Sequence, residues 1–307
     1  MGKMSWTAKE WAVVAAAVTV VLWASAFVGI RMVGESFSPG ALTLGRLAVG
    51  ALVLGGMALF ARAPMPRGRA LGLIVVYGVL WFGGYNLALN AAELYLDAGT
   101  AALVVNIGPI LIAVLSGLFL AEGFPRPLLI GCAIAFSGVA IIAAGGRFGD
   151  ISLTGVGLAL LAAVLYAAGV VAQKPVIDKV NPIQATWLGC AIGAVVTVPF
   201  APQLVTELAA APTSAIAGVV YLGVFPTAIA FTTWAYALRR TSAGKLGATT
   251  FLVPAVAVLL SWIAIGEVPS IVAFAGGVVC LVGVAVTRWK PRATTRPPLE
   301  PAPTPVS

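Results

Sequence analysis

Residues 98–140 read AGTAALVVNIGPILIAVLSGLFLAEGFPRPLLIGCAIAFSGVA, and residues 243–285 read AGKLGATTFLVPAVAVLLSWIAIGEVPSIVAFAGGVVCLVGVA. The second stretch is the first with 145 added to every number. Ala98, Gly99, Pro109, Leu115, Ser116, Glu122, Gly131, Gly138, Val139 and Ala140 recur as Ala243, Gly244, Pro254, Leu260, Ser261, Glu267, Gly276, Gly283, Val284 and Ala285. Leu and Val matches between apolar helices arise easily by chance. Gly, Pro and Glu held at one offset over some forty residues do not, so the chain is read as a duplicated half.

The chemistry of the two copies extends to the whole chain. Its 307 residues are 61% hydrophobic and 9% charged. The mean hydropathy is +1.05. Soluble domains carry roughly a quarter charged residues, so this composition belongs in a bilayer. The net charge of +8 is read as the Lys and Arg excess of cytoplasmic loops, not as a nucleic-acid surface. There is no His. Cys132, Cys190 and Cys280 sit singly in apolar runs as packing residues. No Ser/His/Asp triad, paired buried carboxylates or metal-ligand cluster is evident, so neither an enzyme nor a cofactor or metal is expected.

About twenty apolar residues cross a bilayer core. Such runs fall near residues 11–30, 42–61, 71–91, 99–120 and 128–144, then near 153–173, 183–199, 216–238, 245–265 and 271–287. The expected fold is an all-α integral membrane protein of ten transmembrane helices. Ala24-Ser25-Ala26 resembles a leader-cleavage site, but the apolar run continues past it. Residues 22–33 also echo residues 165–176, with Leu22, Trp23, Ala24, Arg31 and Val33 facing Leu165, Tyr166, Ala167, Lys174 and Val176. The first run is therefore kept as a span. An odd number of spans per half turns the second half over, giving two inverted five-helix repeats. These are expected over residues 1–150 and 151–290, with 291–307 a disordered cytoplasmic tail. Inverted repeats of this kind build secondary transporters with a site near the midplane.

Charge sets the orientation. One set of loops carries Lys3, Lys9, Arg62, Arg67, Arg69, Arg126, Lys174, Lys179, Arg239, Arg240, Lys245 and the basic residues of the tail. The other carries only Arg31 and Arg147. Both termini are expected in the cytoplasm of a bacterial inner membrane. Arg46 lies inside a span near its outer end, where its head is expected to snorkel. Glu122 and Glu267, at the ends of spans 4 and 9, are expected to cap or pair locally.

Candidate site residues are polar or aromatic and deep. Trp23 and its partner Tyr166 lie near the centres of spans 1 and 6. Tyr77, Trp81 and Tyr85 share one face of span 3 at i, i+4 and i+8. Tyr77 suits the membrane interface, while Trp81 is at mid-depth. Asn86, Asn90 and Asn106 are costly in lipid unless they face other helices or water. Trp234 fits either an interfacial belt or a pocket. Pro109 and Pro254 each free a carbonyl four residues back, at Val105 and Thr250, as a packed kink or as a hinge lining a cavity. No mid-depth carboxylate is present for an organic cation. Aromatic faces and amides suit a neutral or zwitterionic solute with an apolar part.

Leu22-Trp23-Ala24-Ser25-Ala26-Phe27, Gly45-Arg46-Leu47 and the twice-written Ala-Gly…Pro…Glu pattern together resemble the ten-helix EamA-type permeases of the drug/metabolite transporter superfamily. The resemblance covers about residues 11–288. In overall look the chain is similar to bacterial aromatic amino-acid exporters of the YddG type. That resemblance implies export of aromatic and other neutral amino acids through a basket of helices 1, 3, 4, 6, 8 and 9. It favours Trp23, Trp81, Tyr85 and Tyr166 as pore-lining aromatics and Asn86 and Asn106 as polar contacts. Ser25 and Trp234 join them as candidate substrate contacts, and Pro109 and Pro254 as gating bends. The buried glutamate that multidrug members carry in their first helix is absent here. Multidrug or other metabolite export and a non-transporting scaffold are the alternatives. The expected partners are a small amino acid and the lipid bilayer, with a monomer enclosing the cavity alone.

Overall fold

The protein's structure, a computed structural model, describes residues 8–62, 64–119, 126–145, 151–177, 179–240, 249–250 and 252–287. The expected tail, Glu122 and the start of span 9 lie outside the described residues.

Among the described residues the chain forms ten helical rods. They are α1 (Ala8–Val33), α2 (Pro39–Ala61), α3 (Arg69–Ala92), α4 (Ala98–Val105 and Gly108–Phe119), α5 (Arg126–Gly145), α6 (Leu153–Ile177), α7 (Pro182–Ala210), α8 (Thr213–Leu222, Gly223–Ile229 and Ala230–Leu238), α9 (Leu252–Ile265) and α10 (Ile271–Thr287). Six of them, α1, α2, α3, α6, α7 and α8, are long and apolar enough to cross a membrane outright; the other four contain shorter apolar helices. In lipid each backbone group must bond within its own helix, which is why uncharged apolar runs become rods. Polar residues mark where they start. The Asp97 carboxylate accepts from the Thr100 N–H at 2.8 Å and hydroxyl at 2.6 Å. Asn181 Oδ1 accepts from Ile183 N–H at 3.0 Å. Both act as N-caps on otherwise orphaned donors.

The helices pack as the duplication requires. Exchanging helix 1 for 6, 2 for 7, 3 for 8, 4 for 9 and 5 for 10 maps several of the main contacts onto one another. α1 packs on α8 and α9, as α6 packs on α3 and α4; α2 packs on α8, as α7 packs on α3. α2 also meets α7, and α5 meets α10 most extensively. Glycines set that last crossing. A Cβ on Gly138 would lie 2.6 Å from the Gly276 carbonyl oxygen, and one on Gly283 2.7 Å from that of Gly131. Small residues that let backbones meet are how helices associate where lipid supplies no hydrophobic drive.

Three expectations are corrected here. α7 does not stop at Pro199: a 3₁₀ turn over Val198–Phe200 redirects the chain, and Ala201–Ala210 continues it. A proline is harmless in a first turn, whose N–H groups have no partner. This extension carries Glu207, whose carboxylate accepts from Ser38 N–H at the start of α2 at 2.9 Å. Tyr77 is fully buried, with its hydroxyl donating to the Ala185 carbonyl, and so is not an interface anchor. Glu267 pairs with Arg31, 236 residues away, at 2.8 Å, not locally.

Candidate functional site

Two of the rods are wound more widely in their middles. Gly78–Tyr85 of α3 and Gly223–Ile229 of α8 are π-helical. Their first residues, Gly78 and Gly223, are again 145 apart. A π turn adds a residue per turn and is frequent at functional sites. In α3 it breaks the expected single stripe: Tyr77 turns to α7, while Trp81 and Tyr85 turn inward. In α8 it holds Pro226, and Thr227 Oγ1 donates to the Leu222 carbonyl at 2.8 Å.

Between these segments lies a central cavity of about 70 Å³. Its lining comes from α1 (Trp23, Ala26, Phe27), α2 (Arg46), α3 (Trp81, Tyr85, Asn86, Leu89), α4 (Ala102, Val105, Asn106, Pro109), α6 (Tyr166), α8 (Pro226, Phe231) and the α9 end (Thr250, Val253). The aromatic residues form one connected wall. Trp81 touches Trp23, Tyr166 and Phe231 at centroid distances of 6.4, 5.4 and 4.9 Å. Tyr166 reaches Tyr85 at 6.0 Å. Glycines make the room. A Cβ on Gly108 would lie 2.5 Å from the Tyr166 ring, and one on Gly169 2.6 Å from Trp81 Cβ. At ~10–15 Å³ per water the space holds a few waters. Ligand pockets run to roughly 300–1,000 Å³, so the cavity here is contracted around its rings.

The predicted residues separate. Trp23, Trp81, Tyr85, Asn86, Asn106, Tyr166 and Pro109 meet at the cavity. Asn86 spends its amide N–H on its own helix, donating to the Trp81 and Phe82 carbonyls at 3.3 and 2.7 Å. Asn106, at the break in α4, is buried and its Nδ2 has no acceptor among the described residues. Trp234 stands behind Trp23, at 5.0 Å, outside the lining. Ser25 borders a separate hollow of about 620 Å³ between α1, α8 and α9, hydrogen-bonded to the Tyr221 hydroxyl at 2.7 Å. Pro254 is buried in the first turn of α9 as described, and the Thr250 carbonyl accepts from Val253 N–H at 3.0 Å. The expected free carbonyl at Thr250 is therefore engaged.

Two functional candidates escaped the sequence. Phe231 stands 145 after Asn86, so the repeat itself marked the position. Arg46 does not snorkel: it is 4% exposed and lines the cavity. Its Nη2 donates to Thr227 Oγ1 at 3.3 Å, and its Nε and Nη1 have no acceptor among the described residues. Nearby Glu93, one residue past the end of α3, is 2% exposed and neither carboxyl oxygen accepts a hydrogen bond from the described residues. Burial pushes this carboxyl well above the usual range, against the pull of Arg46 and Arg31.

Comparison with known proteins gives the frame a family. The model of the EamA-like transporter family matches the chain twice, over residues 10–144 and 153–289. This chain belongs to the EamA-like transporter family. It is 35% identical over 274 residues to a protein of Streptantibioticus cattleyicolor named "Probable terminal-alkyne amino-acid exporter", covering 89% of this chain and 91% of that one. It is 34% identical over 269 residues to the uncharacterized transporter YdfC of Bacillus subtilis, covering 88% of each. A crystal structure sharing 21% identity matches with a TM-score of 0.62 over 90% of this chain and 96% of that one, a likeness of fold. The EamA-like chain is thus a multi-pass membrane protein related to transporters, built as two inverted halves.

Proposed function

We propose that this EamA-like transporter exports aromatic and other neutral amino acids across a bacterial inner membrane by alternating access. The observation that carries the reading is the aromatic cavity where α1, α3, α4, α6 and α8 converge, rimmed by the amides of Asn86 and Asn106. Aromatic walls with a few polar groups recognise a compact solute that has an apolar part and a polar head. The Streptantibioticus relative is named as a probable exporter of a terminal-alkyne amino acid. The halves, residues 1–150 and 151–290, rock about the contracted cavity, opening it to one side and then the other, with both termini in the cytoplasm. The described lining comes from a single chain, and we take the transporter to work as a monomer.

The test is counterflow. Liposomes holding the purified protein are preloaded with one unlabelled amino acid, and labelled amino acid is followed with no ion gradient. Accumulation with Phe, Trp, Met or Thr is expected. No accumulation with any amino acid, in vesicles shown to hold folded protein, overturns the reading in favour of a drug or other metabolite.

A further inference from the structure

Arg46 is a buried cation without a matching anion. A guanidinium withdrawn from water is costly to hold unless it is paired and hydrogen-bonded. Here its one bond is to the Thr227 hydroxyl, and two of its three nitrogens have no acceptor. The titratable groups that face it are Tyr85 and Glu93 from α3 and Cys190 from α7. Neither a hydrogen bond nor an ion pair joins it to any of them in the structure. Asn106, in the same lining, has a second buried donor, Nδ2, without an acceptor among the described residues. Two residues of the cavity lining therefore carry unpaired N–H groups, in a lining that also holds Trp23, Trp81, Tyr85 and Tyr166.

We propose that Arg46 is the carboxylate anchor of the transport site, receiving the α-carboxylate of the amino acid while the aromatic wall takes the remainder. The inference rests on the amino-acid reading above and adds to it the residue that selects for the acid group. A planar guanidinium presents its donors in a fork that matches a carboxylate. Asn106 is placed to donate to the same anion. Aromatic faces attract the ammonium group, since their quadrupole is negative above the ring. An organic cation would leave Arg46 unpaired and be repelled by it, and an uncharged solute would leave its charge uncompensated. A zwitterion satisfies both halves of the cavity.

The experiment compares an acid with its neutral isostere. Counterflow of labelled L-phenylalanine is competed with unlabelled L-phenylalanine or L-phenylalaninamide, in wild type, Arg46→Gln and Arg46→Lys. The ligand-induced shift in unfolding temperature is read in parallel, so that a variant too slow to transport still reports. Wild type should prefer the acid roughly tenfold or more, the worth of a charge-assisted hydrogen bond. Arg46→Gln should lose that preference, and Arg46→Lys should keep part of it. If wild type takes acid and amide equally, the anchor assignment fails while transport of amino-acid-like solutes stands. If Arg46→Gln keeps the wild-type preference, or Arg46→Lys is as indifferent as Gln, Arg46 is structural and the assignment fails. If wild type neither moves nor binds phenylalanine or the other amino acids, the amino-acid reading fails with it.

Discussion

At the scale of single residues, Tyr166 and Trp23 divide packing from function most cleanly. Each is half-buried and borders the cavity, whereas Trp81 is 2% exposed at the hub of the ring cluster. Tyr166→Ala and Trp23→Ala should each lower amino-acid flux about fivefold, as aromatic contacts worth ~1 kcal/mol are lost from the path. Membrane insertion should be unchanged. Trp81→Ala should cost ~3–5 kcal/mol of stability as well, as large buried aromatics do; thermal unfolding beside flux separates the two patterns. Glu93 gives a pH signature. Its folded-state pKa lies above the ordinary 4.5, so the folded protein holds a proton that the unfolded chain releases. Stability is thus greatest below the ordinary value and falls as pH rises from there toward the raised one. Glu93→Gln should flatten that part of the pH–stability curve; an unchanged slope contradicts the assignment. The aromatic site was legible because Trp and Asn are conspicuous at mid-span. Arg46 was not, because a charge near a span's end usually reaches water. What buries it is the packing of α3, α7 and α8 around α2, contacts between residues far apart in sequence.

Individual helices were readable where their chemistry is local and less so where geometry intervenes. Apolar runs placed most rods to within a few residues. The π turns were invisible, since no residue type marks them, and they decide which faces of α3 and α8 look inward. The extension of α7 past Pro199 was missed because a proline reads as a stop until a neighbouring 3₁₀ turn makes it a start. Two predictions belong here. Gly138→Val should force α5 from α10, because its Cβ would meet backbone atoms at 2.6 Å that cannot rotate away. A loss of ~1–3 kcal/mol or more is expected, seen as a lower unfolding temperature with the apparent KM of surviving protein unchanged. Pro109 sits at the cavity just after the break between Val105 and Gly108. If that break is a hinge, Pro109→Ala should slow turnover several-fold while leaving the affinity for amino acid near wild type. Turnover at the wild-type rate makes it a packed kink.

For the whole molecule, the duplication is the feature that sequence conveyed best, and several helix contacts recur between the halves. The pairing of Arg31 with Glu267 was beyond it, because each residue belongs to a different half and no repeat relates them. That bridge ties α1 to the α9–α10 connection and, with Arg31 Nη1 donating to the Glu93 carbonyl at 3.1 Å, to the end of α3. A partly exposed ion pair contributes about 0–1 kcal/mol. Glu267→Gln should therefore shift the balance of open and closed states by no more than about fivefold, read as a modest change in exchange rate that high salt reproduces. The central claim is that the aromatic cavity opens alternately to both sides. The direct measurement is labelling of Ala26→Cys, on the cavity wall, by a membrane-impermeant maleimide added from either face of oriented vesicles. The native Cys190 and Cys280 are buried and Cys132 is half-buried, so wild type supplies the background. Labelling from both faces, slowed by phenylalanine, is the expected result. Labelling from one face only, indifferent to every amino acid that the protein moves, contradicts alternating access through this cavity.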